Sequence, residues 1–222
     1  MKLLTFLKHI DCDHLYFVGD TFDLWSLQRR FHWTDEINDI IRRVIKMAKN
    51  GVNVTIIAGN HDEPLRQFIP CEFGKIHVRD TAIHTTAKNE KFMVIHGDQF
   101  DFVTNHLKWL AKFGTWIYDW LLAFNHYLAI VRDRFGMSYW SFAAWAKSKA
   151  KKAVAVIKDF EEAAMNHAAR NNCVGVICGH IHTPKMYDHE GITYANCGDW
   201  VESCSVLVEH DSGEFELLKQ VF

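Results

Sequence analysis

Apolar residues recur along this chain in two rhythms. Tyr16-Phe17-Val18, Val54-Thr55-Ile56-Ile57, Met93-Val94-Ile95 and Val174-Gly175-Val176-Ile177 are short, continuous runs. They are rich in β-branched and aromatic residues, as buried strands are. Residues 34–49 instead place Ile37, Ile40, Ile41, Val44, Ile45 and Ala48 at helical spacing and stop before Gly51, which predicts an amphipathic helix. The same reading gives a helical fragment over 3–10 and strands over 14–18, 52–58, 75–78, 82–86 and 91–95. Further strands are expected over 174–178, 191–196, 204–209 and 214–219. Strands that alternate with a helix early and meander late predict an α/β (α+β) protein, with a mixed sheet or two packed sheets and outer helices. With no repeat, low-complexity tract or linker, a single domain over 1–222 is expected.

The middle departs from this pattern. From 104 to 168 the strand signal fades. Leu110, Phe113, Ile117, Trp120, Leu121, Phe124, Leu128 and Val131 follow helical spacing, while Trp109, Trp116, Tyr127, Trp140 and Trp145 add aromatics outside one stripe. Between 132 and 158 stand Arg132, Arg134, Lys147, Lys149, Lys151, Lys152 and Lys158 against the single acid Asp133. The plain reading is a helical layer that buries its own aromatics and solvates its lysines. The sharper one is a helical cap insertion over a functional crevice, receiving an apolar, anionic substrate. A basic amphipathic surface also suits an anionic membrane face.

Composition narrows the class. The 222 residues are 49% hydrophobic and 23% charged, enough for one substantial core and unlike a disordered chain. A net charge of −2 gives no global reason to bind nucleic acid, and no specific protein partner is indicated. Cys12, Cys71, Cys173, Cys178, Cys197 and Cys204 form no CxxC pair and read as reduced thiols of a cytoplasmic protein. The opening apolar stretch is interrupted by Lys8 and lacks a cleavage site, unlike a signal peptide. No run approaches the ~18 apolar residues of a membrane span.

Four phrases carry the chemistry: Gly19-Asp20-Thr21-Phe22-Asp23, Gly59-Asn60-His61-Asp62, His96-Gly97-Asp98 and Gly179-His180-Ile181-His182. Each follows one of the apolar runs, and a sheet gathers residues at the carboxyl ends of its strands into one crevice. Asp, Asn and His together are ligands for hard or borderline divalent ions, and paired ions hydrolyse phosphate esters. Asp20 reads as a carboxylate that bridges two ions or, more plainly, as a turn or helix cap. Asp23 reads as a capping or supporting carboxylate. Asn60 offers a neutral oxygen, His61 a proton for a leaving oxygen, and Asp62 a carboxylate to hold the other ring nitrogen of His61. His96 is a ligand candidate, and Asp98 is open between turn chemistry and support of a ligand. In extended backbone, His180 and His182 would share one face.

The series GDxxD, GNHD, HGD, GHxH, in this order and spacing, resembles the calcineurin-like metallophosphoesterase family. Leu15 to Trp25, Gly136-Met137-Ser138-Tyr139-Trp140-Ser141 and Tyr194 to Glu202 are similar to its branch of UDP-2,3-diacylglucosamine hydrolases, lipid A pathway pyrophosphatases. That resemblance implies two facing mixed sheets flanked by helices and two divalent metal ions, usually manganese. It implies Asp20 as the bridge, Asn60, His96 and His180 on one ion, His182 on the other, and His61 on the leaving group. The implied substrate is a lipid-linked nucleotide, UDP-2,3-diacylglucosamine, cleaved to UMP and the acylated sugar 1-phosphate at the cytoplasmic face of the inner membrane. Trp140 and neighbouring aromatics would shelter acyl chains, and Lys147, Lys149, Lys151 and Lys152 would meet phosphate or the anionic membrane. The family opens with a strand ending in Asp-x-His, whereas Asp11-Cys12-Asp13-His14 precedes the strand carrying Asp20. The chain therefore looks short by one strand and its two ligands, which would weaken one ion site and expose neighbouring strand edges. The alternatives are a non-catalytic module binding lipid or a partner, and a phosphodiesterase acting on nucleotides.

Overall fold

The computed structural model describes residues 2–22, 24, 34–100 and 142–221, with side chains in the long helix from 154 onward. The chain forms two compact units, Met1–Gln99 with Ala164–Phe222, and Phe100–Ala163. Tryptophan 140, its neighbours in the aromatic segment up to 141, and Asp23 lie outside the described residues.

The first unit begins with helix α1 (Lys2–His9), strand β1 (His14–Val18), helix α2 (Asp35–Lys49) and strand β2 (Asn53–Ile57). Strands β3 (Cys71–Phe73), β4 (Ile76–Arg79), β5 (Thr81–Thr85) and β6 (Lys91–Ile95) follow. Helix α3 (Phe142–Arg170) leads to β7 (Gly175–Cys178), β8 (Lys185–His189), β9 (Ile192–Asn196), β10 (Val206–Glu209) and β11 (Phe215–Leu218). Helix α2 starts where its pattern does, because the Thr34 side chain accepts the Ile37 N–H and Asp35 and Glu36 occupy the positive first turn,.

One sheet has the order β1-β2-β4-β3 and the other β5-β6-β7-β9-β8, with β10-β11 as a separate antiparallel pair. In the first, β1, β2 and β4 run parallel and β3 antiparallel. In the second, β6, β7 and β9 run parallel between antiparallel β5 and β8. Both are the mixed sheets expected from the sequence. Strand β1 ends the first sheet among the described residues.

The alternation of side chains along β1 and β2 divides the core. Leu15, Phe17, Val54 and Ile56 join Leu7, Val44, Met47 and Ala48 of the two helices. Tyr16, Val18 and Ile57 face the other way, toward Phe92 and Val94 of β6, Ile177, Ala195, Leu207 and Phe215. The first sheet is thus sandwiched between helices and strands. Fully burying one such aliphatic side chain contributes about 1.5–3 kcal/mol, so these two clusters fix where the strand ends meet.

In the second unit the rings of Phe100 and Phe160 stand 5.8 Å apart, edge to face. No helix among the described residues is long and apolar enough to cross a membrane.

Two strands escaped the sequence reading. Strand β3 is three residues long, and β8 is exposed at Lys185, Met186, Asp188 and His189 with only Tyr187 half-buried. Neither presents the apolar alternation that marks a strand.

Candidate metal centre

The carboxyl ends of β1, β2, β6 and β7 carry the four phrases. Asp20 follows Val18 and Gly19 in a left-handed backbone conformation, with φ +51°. That geometry, costly for a residue with a Cβ, turns its carboxylate across the strand ends. Oδ1 accepts the His61 N–H at 2.9 Å, and Oδ2 lies 3.4 Å from His96 Nε2.

His96 is the hub. It is 2% exposed, and its Nδ1 lies 2.9 Å from the Val18 carbonyl oxygen. A carbonyl can only accept, so Nδ1 carries the proton and Nε2 of the neutral ring is left with a lone pair. That Nε2 stands 3.2 Å from Asn60 Oδ1 and 3.2 Å from His180 Nδ1. Ligand atoms of Asp20, His96 and His180 all lie within 4.8 Å of one another. Acceptor atoms from four loops converge on one small volume, an arrangement that repels itself unless a proton or a cation stands among them. The donor set, two imidazoles, a carboxylate and an amide oxygen, fits a divalent ion.

The ionisation of the cluster follows the same field. Burial raises the Asp20 carboxyl, but the His96 hydrogen bond and charge and the His61 N–H outweigh it and hold the group at about 2. Burial lowers the His96 imidazole, yet the hydrogen bond and charge of Asp20 more than compensate and raise it.

Two glycines make the close approach possible. A Cβ on Gly19, at φ +82°, would lie 2.0 Å from His96 Nδ1, and one on Gly59 would lie 2.2 Å from Asp20 Oδ1. Both positions admit only glycine if the cluster is to close.

Asp62 does something other than the sequence reading assigned to it. It is completely buried, and its oxygens accept the N–H groups of Thr21 at 2.8 Å and Phe22 at 2.9 Å. It therefore braces the loop that leaves Asp20. Burial raises its carboxyl despite these two hydrogen bonds.

The expected shared face of His180 and His182 is also corrected. Both residues have positive φ, +63° and +52°, so the segment is a tight turn and not extended chain. His180 enters the cluster, whereas His182 is half exposed with Nδ1 3.8 Å from Asp199 Oδ2. Asp199 is itself held low: burial opposes ionisation, and the N–H groups of Glu202, Val201 and Ser203 with the Ser203 hydroxyl favour it.

Asn196 was missed. Fully buried, it donates to the Gly179 carbonyl at 2.6 Å and accepts the Gly198 N–H at 2.9 Å, tying the His180 turn to the next loop. An Asn at the end of an apolar strand was its one sequence signal. Lys147, Lys149, Lys151 and Lys152 fall on the backbone of α3, and their side chains, with Trp140, lie outside the description.

Two mixed sheets that gather a carboxylate, an amide and two imidazoles at their strand ends make a candidate site for a divalent ion. The calcineurin-like phosphoesterase family model matches residues 2–184, and the chain belongs to that family, whose members are hydrolases that generally use divalent metals. It is 26% identical over 214 residues to a UDP-2,3-diacylglucosamine hydrolase from Shewanella sp., covering 91% of this chain and 82% of that protein. A UDP-2,3-diacylglucosamine hydrolase from Porphyromonas gingivalis is 29% identical over 100 residues, covering 44% of this chain and 37% of its own length. Among solved structures, a Vps29 variant from Entamoeba histolytica aligns with a TM-score of 0.45 at 13% identity, covering 98% of this chain and 86% of that one.

Proposed function

We propose that this chain is a metal-dependent pyrophosphatase that hydrolyses UDP-2,3-diacylglucosamine, or a similar lipid-linked pyrophosphate, to UMP and an acylated sugar 1-phosphate. The observation that carries the reading is the convergence of Asp20, Asn60, His96 and His180 on one point. The names of the two relatives supply the substrate class. Asp20, Asn60, His96 and His180 would hold one divalent ion, with manganese the expected metal, and Asp20 and His182 would serve a second. Bound ions of this kind polarise phosphoryl oxygens and lower the pKa of water.

The chain's own residues do the rest. The His61 N–H fixes one oxygen of Asp20, so the other stays turned to the cluster. The imidazole of His61 is the group assigned to protonate the leaving phosphate oxygen. Asp62 and Asn196 keep the Asp20 and His180 loops in register. Aromatic residues of 104–168, Trp140 among them, would shelter acyl chains, at about 0.8 kcal/mol per buried CH₂. Lys147, Lys149, Lys151 and Lys152 would meet substrate phosphate or the anionic cytoplasmic face of the inner membrane, where the protein would act as a peripheral enzyme.

The test is direct. Protein loaded with Mn²⁺ should release UMP from UDP-2,3-diacylglucosamine, followed by ³¹P NMR, and EDTA should stop it. Absence of UMP release, with the lipid pyrophosphate presented in micelles, overturns the substrate assignment. A preference for a plain aryl phosphodiester would point to the nucleotide-directed alternative.

One observation favours a second reading, a non-catalytic module with a single ion. Among the described residues the compact donor group is one cluster, and His182 lies outside it. A Mn²⁺ titration separates the two: two ions per chain support the enzyme, one ion without turnover the module.

A further inference from the structure

The strongest feature the metal reading leaves unused is a guanidinium behind the cluster. Arg66 sits in the short 3₁₀ turn Glu63–Phe68, which follows the Asn60-His61-Asp62 phrase. Its Nη2 donates to Asp98 Oδ2 at 2.7 Å and to the Ala58 carbonyl at 3.3 Å, and its Nε donates to Asp80 Oδ1 at 3.1 Å. These acceptors belong to three segments. Ala58 stands two residues before Asn60, Asp98 two residues after His96, and Asp80 just after β4. One planar cation therefore ties the loop leaving the first sheet to the loop leaving the second.

The Asp98 end of this tie is not an ordinary surface pair. Its side chain is 10% exposed, and Oδ1 is buried with no hydrogen-bond partner among the described residues. Among the described residues, Arg66 is the cation in direct contact with its charge. A buried carboxylate that loses its one partner is strongly unfavourable, so Asp98 would be expected to move when Arg66 is removed, and the backbone two residues from His96 with it. Surface ion pairs seldom matter; here one guanidinium meets two carboxylates on different loops, and the Asp98 half of the tie is nearly buried.

We propose that Arg66 is a positioning residue for the metal centre. It sets the distance between Asn60 and His96, whose oxygen and nitrogen stand 3.2 Å apart, and so sets how tightly the cluster holds an ion. Lysine cannot replace it: an ammonium is a point charge and cannot serve three acceptors in a plane. The inference rests on the metal reading above, and its test is arranged so the two fail separately.

Full-length wild type, R66K, R66Q and D98N are titrated calorimetrically with MnCl₂ after removal of metal, with near-UV circular dichroism and melting temperature recorded for each. The expected result is that all four keep native near-UV spectra and that each variant binds Mn²⁺ at least tenfold more weakly than wild type. R66K should stay as weak as R66Q. Wild-type Mn²⁺ affinity in any of the three variants overturns the role of Arg66, as does full recovery by lysine alone. Should the Arg66 variants fail to fold, D98N decides by the same tenfold criterion, because it removes the buried charge from the other side of the pair. Failure of the wild type itself to bind Mn²⁺ strikes the metal reading instead.

Discussion

Oδ1 of Asn60 and Nε2 of His96 lie 3.2 Å apart although they leave strands of different sheets. Two acceptor atoms do not approach so closely for their own sake. Their nearness is a property of the strand ends, set by the apolar contacts of Ile57 with Phe92 and Val94 in the same cluster. Removing either donor should therefore empty the site without disturbing the sandwich. We expect N60A and H96A each to lower metal-dependent turnover at least a hundredfold, about 2.7 kcal/mol of barrier, with melting temperatures of the metal-free proteins changed by a few degrees. Hydrolysis measured across a Mn²⁺ series checks this; turnover retained in either purified variant rules the assignment out.

Acid should undo the cluster in a defined window. Asp20 titrates at about 2 in the folded chain, against about 3.9 in an unfolded one. A depressed carboxylate stabilises the fold above the unfolded value and loses that contribution as pH falls through the folded one. The window is therefore about pH 4 down to about 2. His96 is the same interaction seen from its partner: raised, it contributes below the unfolded imidazole value and loses that contribution as pH rises through its folded value. The side chain of Asp20 is 20% exposed, so the contribution is of order 2 kcal/mol. In EDTA, urea unfolding of wild type should lose about this much relative to D20N between pH 4 and pH 2. Parallel pH curves for the two proteins would falsify the pairing.

Glycines 19 and 59 should resist substitution by the smallest side chain. In G19A the new carbon meets the His96 ring at 2.0 Å, at a φ of +82°. In G59A it meets the Asp20 carboxylate at 2.2 Å and the Asp20 backbone nitrogen at 2.5 Å. Neither neighbour can retreat freely, since His96 is anchored on the Val18 carbonyl and Asp20 on the His61 N–H. Each variant should lose about 1–3 kcal/mol of stability by overpacking. Each should also bind Mn²⁺ more weakly. Chemical denaturation with and without metal reads both effects; a G59A protein with native stability and affinity contradicts the geometry.

Much of this was legible in the sequence because strand ends and ligands are both local signals. The runs before Asp20, Asn60, His96 and His180 announced strands, and residue type marked the side chains that the strand ends bring together. The helix ending at Lys49 was equally plain, from its cap at Thr34 to its apolar period. Less visible were features that depend on what the backbone does between strands. The GHxH segment reads as extended, but positive φ at His180 and His182 sends the two rings different ways. Arg66 and Asn196 act through contacts made across sequence separations of 32 and 17 residues, and nothing in the local pattern distinguishes them from any other Arg or Asn. Strand β8 shows the converse limit, since an exposed edge needs no apolar alternation.

Asp62 offers a way to separate support of the metal loop from support of the acid. Its oxygens, themselves buried, accept two half-buried N–H groups, from Thr21 and Phe22. Leaving such donors unsatisfied costs about 1–3 kcal/mol each, so D62A should be severely destabilised. D62N keeps one acceptor oxygen and should fold with a smaller loss. If the carboxylate oriented the His61 ring, D62N would displace the basic limb of the pH–rate curve. Because it braces the segment after Asp20, the expected outcome is an unmoved limb, a weakened Mn²⁺ affinity and a lowered kcat that excess Mn²⁺ partly restores. Steady-state rates from pH 5 to 9 at several Mn²⁺ concentrations distinguish the cases. A displaced limb with wild-type metal affinity would return Asp62 to the side of His61.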